Sequence, residues 1–197
     1  MGLLMIAVVL ILVFTVFKGD GGVETEVSGS GSTVTSEDTA EDNAEDTSKD
    51  TTQDLVGYEG MLVPLSLDYP RGWKLDEDPD GYIEIWPKDK KEEVLLFIYH
   101  EDLTEYEYSL EEWVNQATAD LDEMGRDFKM SSTEIDGCPA SRLTYVEDQT
   151  DTPDYRVMQI FTMKDGIAYT VKFICEESVY ERYQKDATEV IASIEFF

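Results

Sequence analysis

The chain is 197 residues long, with 44 acidic residues against 15 basic and a formal net charge of −29. Such a surface repels phosphate backbones and anionic headgroups, which argues against nucleic-acid binding and against a peripheral membrane role. One histidine and two cysteines are too few for most zinc sites and leave little for redox chemistry.

Residues 3–17 are apolar apart from Thr15, and with Met1 and Gly2 the run is 17 long, at the lower edge of what spans a bilayer. No lysine or arginine precedes it, Val16-Phe17-Lys18 is a poor cleavage context, and no cysteine follows. Residues 1–18 therefore read as an uncleaved N-terminal membrane anchor. The next stretch, Asp20 to Asp54, holds 12 Ser/Thr, 11 Asp/Glu, one lysine and no aromatic residue. It cannot bury enough apolar surface to offset its chain entropy, so 19–54 is expected to be a disordered acidic linker. A flexible chain of that length reaches roughly 30–35 Å root-mean-square. Ser/Thr-rich stalks of this kind separate exported domains from their membranes, which places the 55–197 domain outside the cytoplasm. Lys18 alone would favour the opposite orientation.

Within the domain, Met61 to Tyr69 reads as a strand stopped by Pro70-Arg71-Gly72, and Trp73–Leu75 and Tyr82–Trp86 flank an acidic turn. Val94-Leu95-Leu96-Phe97-Ile98-Tyr99 follows, six apolar residues without a break. A strand with one wet face alternates; this one does not, so both faces are expected to be covered and the strand to lie near the middle of a sheet. Ser109-Leu110-Glu111-Glu112 is a capping box opening a helix over 110–124, with an apolar stripe from Leu110 to Met124 and Gly125 at its exit. A second capping box, Ser178-Val179-Tyr180-Glu181, opens the last helix, whose stripe runs from Val179 to Ile194. Between the helices, Asp136-Gly137 and Asp165-Gly166 are hairpin turns pairing Phe128–Ile135 with Cys138–Tyr145 and Tyr155–Lys164 with Ile167–Cys175. That register sets Ile160 opposite Val171 and Met158 opposite Phe173. It also sets Cys138 about 26 Å along the sheet from Cys175, too far for a disulfide. The elements sum to an α+β domain of six to seven antiparallel strands and two main helices.

The string Leu65-Ser66-Leu67-Asp68-Tyr69-Pro70-Arg71-Gly72-Trp73 resembles the opening of PsbP-like domains. Further matches follow in order: Asp136-Gly137-Cys138-Pro139-Ala140, Gly166-Ile167-Ala168-Tyr169 leading to Phe173, and Ser193-Ile194-Glu195-Phe196. The resemblance implies a central antiparallel sheet flanked by helices on both faces, an α/β/α sandwich. It also implies a non-enzymatic binding or assembly role. The photosystem subunit that gives the family its name helps retain calcium and chloride through a basic N-terminal region. Here that position holds an anchor and an acidic stalk, so the photosynthetic role does not carry over.

Three constellations bear on chemistry. Asp76-Glu77-Asp78-Pro79-Asp80-Gly81 matches the first half of a calcium loop, with Asp76, Asp78, Asp80 and Glu84 as ligands. Pro87 stands where an EF-hand needs its last glutamate and the flanks are strand-like, leaving a looser calcium site or a solvated hairpin turn. His100 ends the central strand beside Glu101 and Asp102; Ser66 or Ser109 is its formal nucleophile, but no nucleophile elbow or oxyanion loop accompanies it. Catalytic residues are therefore expected to be absent. Tyr106, Tyr108 and Trp86 are interface candidates, because aromatic side chains anchor interfaces and the two tyrosines sit among charged residues. The sequence reads as a membrane-anchored, extracytoplasmic, non-catalytic binding or assembly module for a protein partner that no motif specifies. A surface calcium-binding protein is the alternative, and a hydrolase the weakest reading.

Overall fold

A computed structural model describes residues 54–197 except Glu92 and 122–124; the expected anchor and linker lie outside these residues. The described chain forms ten strands and two α-helices. The strands are β1 (Leu55–Glu59), β2 (Leu65–Pro70), β3 (Trp73–Asp78), β4 (Tyr82–Pro87), β5 (Val94–Asp102), β6 (Gly125–Ile135), β7 (Cys138–Glu147), β8 (Tyr155–Lys164), β9 (Ile167–Glu176) and β10 (Glu195–Phe196). The helices are α1 (Leu110–Ala117) and α2 (Tyr180–Ala192). All the pairings are antiparallel. Seven strands form one sheet in the order β3-β4-β5-β9-β8-β7-β6, and β1, β2 and β10 form a second.

The apolar run of β5 behaves as its composition demands. Residues Val94 to Ile98 are all buried, and the strand lies third in the sheet, between β4 and β9. Side chains alternate across a strand, so Val94, Leu96 and Ile98 enter the main core with Ile83, Ile85, Val171 and Phe173. That core is closed by Tyr180, Tyr183, Ala187, Val190 and Ile191 of α2 and by Leu65 and Leu67 of β2. On the other face Leu95 and Phe97 are covered as well, and Trp113 and Val114 of α1 are buried there with Leu121.

The sandwich expected from the family resemblance is met only in part. One face carries a helix together with a three-stranded sheet, and the other a helix of eight residues, so the domain is mostly β. The short helix has a local cause. Thr118 donates its hydroxyl to the Val114 carbonyl at 2.8 Å, a back-bond that competes with helix continuation. Gly125 is not the helix exit but the first residue of β6, where a Cβ would meet the Val146 carbonyl oxygen at 2.4 Å. Two residues on, Asp127 takes φ of 61°, and the β6–β7 register shifts between Arg126 and Lys129 in a bulge.

The first capping box is present: the Ser109 hydroxyl accepts from the Glu112 amide at 3.2 Å and Glu112 accepts from the Ser109 amide at 2.9 Å. The second is not. Ser178 lies in a single 3-10 turn (Glu177–Val179), bonds the Glu176 carboxylate at 3.3 Å, and leaves α2 without a side-chain cap. Both hairpin turns form with positive φ at Asp136, Gly137, Asp165 and Gly166, the conformation Asp-Gly favours. Ile160 faces Val171, Met158 faces Phe173 and Arg156 faces Cys175, as the meander predicts, and both cysteines are free.

Candidate functional site

The most organised polar feature is a carboxylate inside the acidic stretch, and it is none of the predicted ligands. In β3 the inward positions are Trp73, Leu75 and Glu77, paired with Pro87, Ile85 and Ile83. Glu77 therefore points where a core residue belongs. Its carboxylate accepts from the Met61, Leu62 and Val63 amides at 3.0, 2.8 and 3.1 Å. Partial burial pushes the carboxyl up, but the Leu62 and Val63 amides, the Tyr58 hydroxyl and the Met61 amide outweigh it and hold it at about 2. Residues expected to continue a strand from Met61 thus form a bent loop fixed to Glu77, and β2 starts only at Leu65. The loop displays its apolar side chains: Met61 is 89% exposed and Leu62 49%.

That loop belongs to one end of the large sheet, where several segments are tied together. The Pro64 carbonyl accepts from the Phe197 amide at 3.3 Å and the Tyr169 hydroxyl at 3.4 Å. The Phe196 amide donates to Asp136 at 3.1 Å, and Lys164 bridges Asp136 at 3.0 Å and the Phe196 carbonyl at 2.7 Å. The Leu103 amide donates to the Gly166 carbonyl at 2.9 Å, joining the 103–109 loop to the same end. Phe197 is 64% exposed; Tyr106 and Tyr108 are exposed with ring centroids 5.8 Å apart. Five of the seven exposed large apolar side chains among the described residues, Met61, Leu62, Tyr106, Tyr108 and Phe197, thus sit on segments meeting at this turn end; Leu55 and Met130 lie elsewhere.

The predicted calcium residues are not gathered. Asp76 is cross-strand to Glu84 on the face turned away from the main core, whereas Asp78 and Asp80 belong to the hairpin turn. There the Asp78 carbonyl accepts from Gly81 and its carboxylate from the Asp80 amide, both at 2.9 Å. Glu84 is buried and paired with Lys91 at 2.7 Å. No group of three or more His, Cys, Asp or Glu among the described residues is arranged to hold a metal. Trp86 is half-buried, with Lys91 4.4 Å above its ring; it lies at the Val94 end of β5, away from the tyrosine pair beyond Asp102.

His100 pairs with Tyr169, and burial holds its imidazole below the ordinary value. Of the two serines weighed beside it, Ser109 is committed to the helix cap and Ser66 lies on β2 between Glu59 and Glu195. Ser66 also lines a polar cleft of about 410 Å³ with Gly57, Tyr58, Asp68 and Ser193.

Sequence reasoning missed one further buried element. Lys172 interrupts the apolar run of β9 and sits 3.8 Å from Glu147, both nearly covered. Burial drives the Lys172 amine down and Glu147 opposes it. A single lysine within Ile167–Cys175 was the available signal, as an inward glutamate beyond Trp73 and Leu75 was for Glu77.

No family model and no curated protein matches the sequence. Solved structures do match. Cyanobacterial PsbP from Synechocystis sp. PCC 6803 gives a TM-score of 0.56 at 12% identity, covering 73% of this chain and 92% of its own. LpqN, involved in cell envelope biogenesis of Mycobacterium tuberculosis, gives 0.52 at 12% identity, covering 73% and 86%. A Bacteroides thetaiotaomicron VPI-5482 protein gives 0.52 at 17% identity over 72% of this chain; the chain spans about half of that protein's length, 48%. At these identities the likeness is one of fold, and the fold is PsbP-like without a full helix-flanked sandwich.

Proposed function

We propose, from a PsbP-like fold, that this chain is a non-catalytic surface module that binds another protein through its turn end, tethered to the membrane by residues 3–17 and held off it by 19–54. The observation that carries the reading is the concentration of exposed apolar side chains on one tied-down end. Monomeric surfaces rarely group large apolar side chains without a partner to cover them, and a loop fixed by one carboxylate loses little further entropy on docking. The apolar N-terminal run and acidic stalk support the tether and an extracytoplasmic domain.

A photo-reactive residue tests the binding reading. The full chain, made in its own cells with Met61→p-benzoylphenylalanine, should cross-link to a second protein on irradiation. The same residue at Met130, exposed but on edge strand β6, should not. Absence of a cross-linked protein at Met61, or equal products at both positions, would remove the proposal.

A further inference from the structure

Resting on that reading, the charge layout narrows the partner. The cations are gathered away from the turn end. Lys88, Lys90 and Lys91 lie in the β4–β5 turn at the Val94 end of β5, Arg71 and Lys74 lie beside it, and Arg156 is opposite Cys175, itself paired with Val94. The turn end holds the reverse. Asp80, Glu105, Glu107 and Asp165 are exposed there, and none makes an ion pair within 4 Å among the described residues. Its one lysine, Lys164, is engaged by Asp136 and the Phe196 carbonyl.

We infer that the turn end docks a basic protein face: Met61, Leu62, Tyr106, Tyr108 and Phe197 seat against apolar groups at its centre, and Asp80, Glu105, Glu107 and Asp165 receive lysine or arginine side chains at its rim. A basic partner turns four solvated carboxylates into complementary charges that steer encounter and fix orientation. Other occupants meet a penalty. A second copy docked two-fold brings the acidic rims together, and an anionic bilayer repels them.

The experiment adds charge reversal to the Met61 cross-link. Glu105→Lys with Glu107→Lys alters two exposed side chains outside the capping contacts, and an unchanged circular dichroism spectrum confirms the fold. The yield of the Met61 product should fall about tenfold in the double variant, and by a similar factor in unaltered chain when salt rises from about 0.1 to 1 M. A cross-linked protein whose yield ignores both changes overturns the basic face while leaving the binding reading intact. Products that are second copies of this chain, lipid adducts, or nothing overturn both.

Discussion

Glu77 shows how one side chain sets the shape of a surface. Its carboxylate meets three consecutive amides of the 60–64 loop, and hydrogen bonds to an ionised acceptor are worth more than neutral ones. Glu77→Gln keeps the size but removes the charge and turns one oxygen into a donor facing donors. The expected loss is about 1–3 kcal/mol in urea unfolding, with faster amide exchange confined to 61–63. The pH dependence follows from the depressed folded value, about 2 against an ordinary 4.5. The unfolded chain binds the proton more readily, so this contribution is full above about pH 4.5 and is lost as pH falls toward 2. Stability of the unaltered chain should therefore drop more steeply across that window than stability of Glu77→Gln. Parallel acid slopes would show that the carboxylate does not hold the loop. Nothing in the acidic run marked this residue by charge, since its neighbours are equally acidic; only its period-two place behind Trp73 and Leu75 sets it apart.

Among the elements, the two capping boxes offer a controlled comparison, because the same four-residue pattern forms a cap once and fails once. Ser109 satisfies an orphan amide at the start of α1, so Ser109→Ala should cost about 1 kcal/mol. Ser178 bonds Glu176 instead, leaving α2 to start from Val179 without a side-chain cap, so Ser178→Ala should change stability by less than about 0.5 kcal/mol. Equal losses in thermal or urea unfolding would mean that the capping pattern alone, not its geometry, governs these helix starts. The contrast also explains what could be read in advance. An unbroken apolar run and Asp-Gly turns are local signals; β5 followed from the first, and β8, β9 and both hairpins, register included, from the second. The end of α1 rests on a local back-bond from Thr118 to Val114 that an apolar stripe does not register, whereas the close approach of Gly125 and the bent loop at Met61 depend on Val146 and Glu77, neighbours that no window of local sequence contains. Tyr106 and Tyr108 could be picked out because charged residues flank them; Met61 and Phe197 could not, because exposure of an apolar residue is decided by the fold.

At the scale of the whole molecule the excess charge decides the response to salt. From Asp54 onward there are 34 acidic and 13 basic residues, and most of the cations already touch a carboxylate. Contact pairs are close and several are partly covered, so added salt weakens them little. The remaining carboxylates repel one another across tens of ångströms, and that repulsion is what a screening length shrinking from about 10 Å at 0.1 M to 3 Å at 1 M removes. Self-repulsion opposes the compact state more than the expanded one, so its loss favours folding. The melting temperature should climb with sodium chloride over this range by roughly 3–8 °C, equivalent to about 1–2 kcal/mol for a domain of this size. The climb should flatten near 1 M, where screening is complete over the spacing of neighbouring charges; strengthening of apolar burial by excluded salts would instead keep rising. A melting temperature that falls with salt would mean that the ion pairs dominate the repulsion, and that this acidic surface is a balanced network rather than a field seeking positive charge.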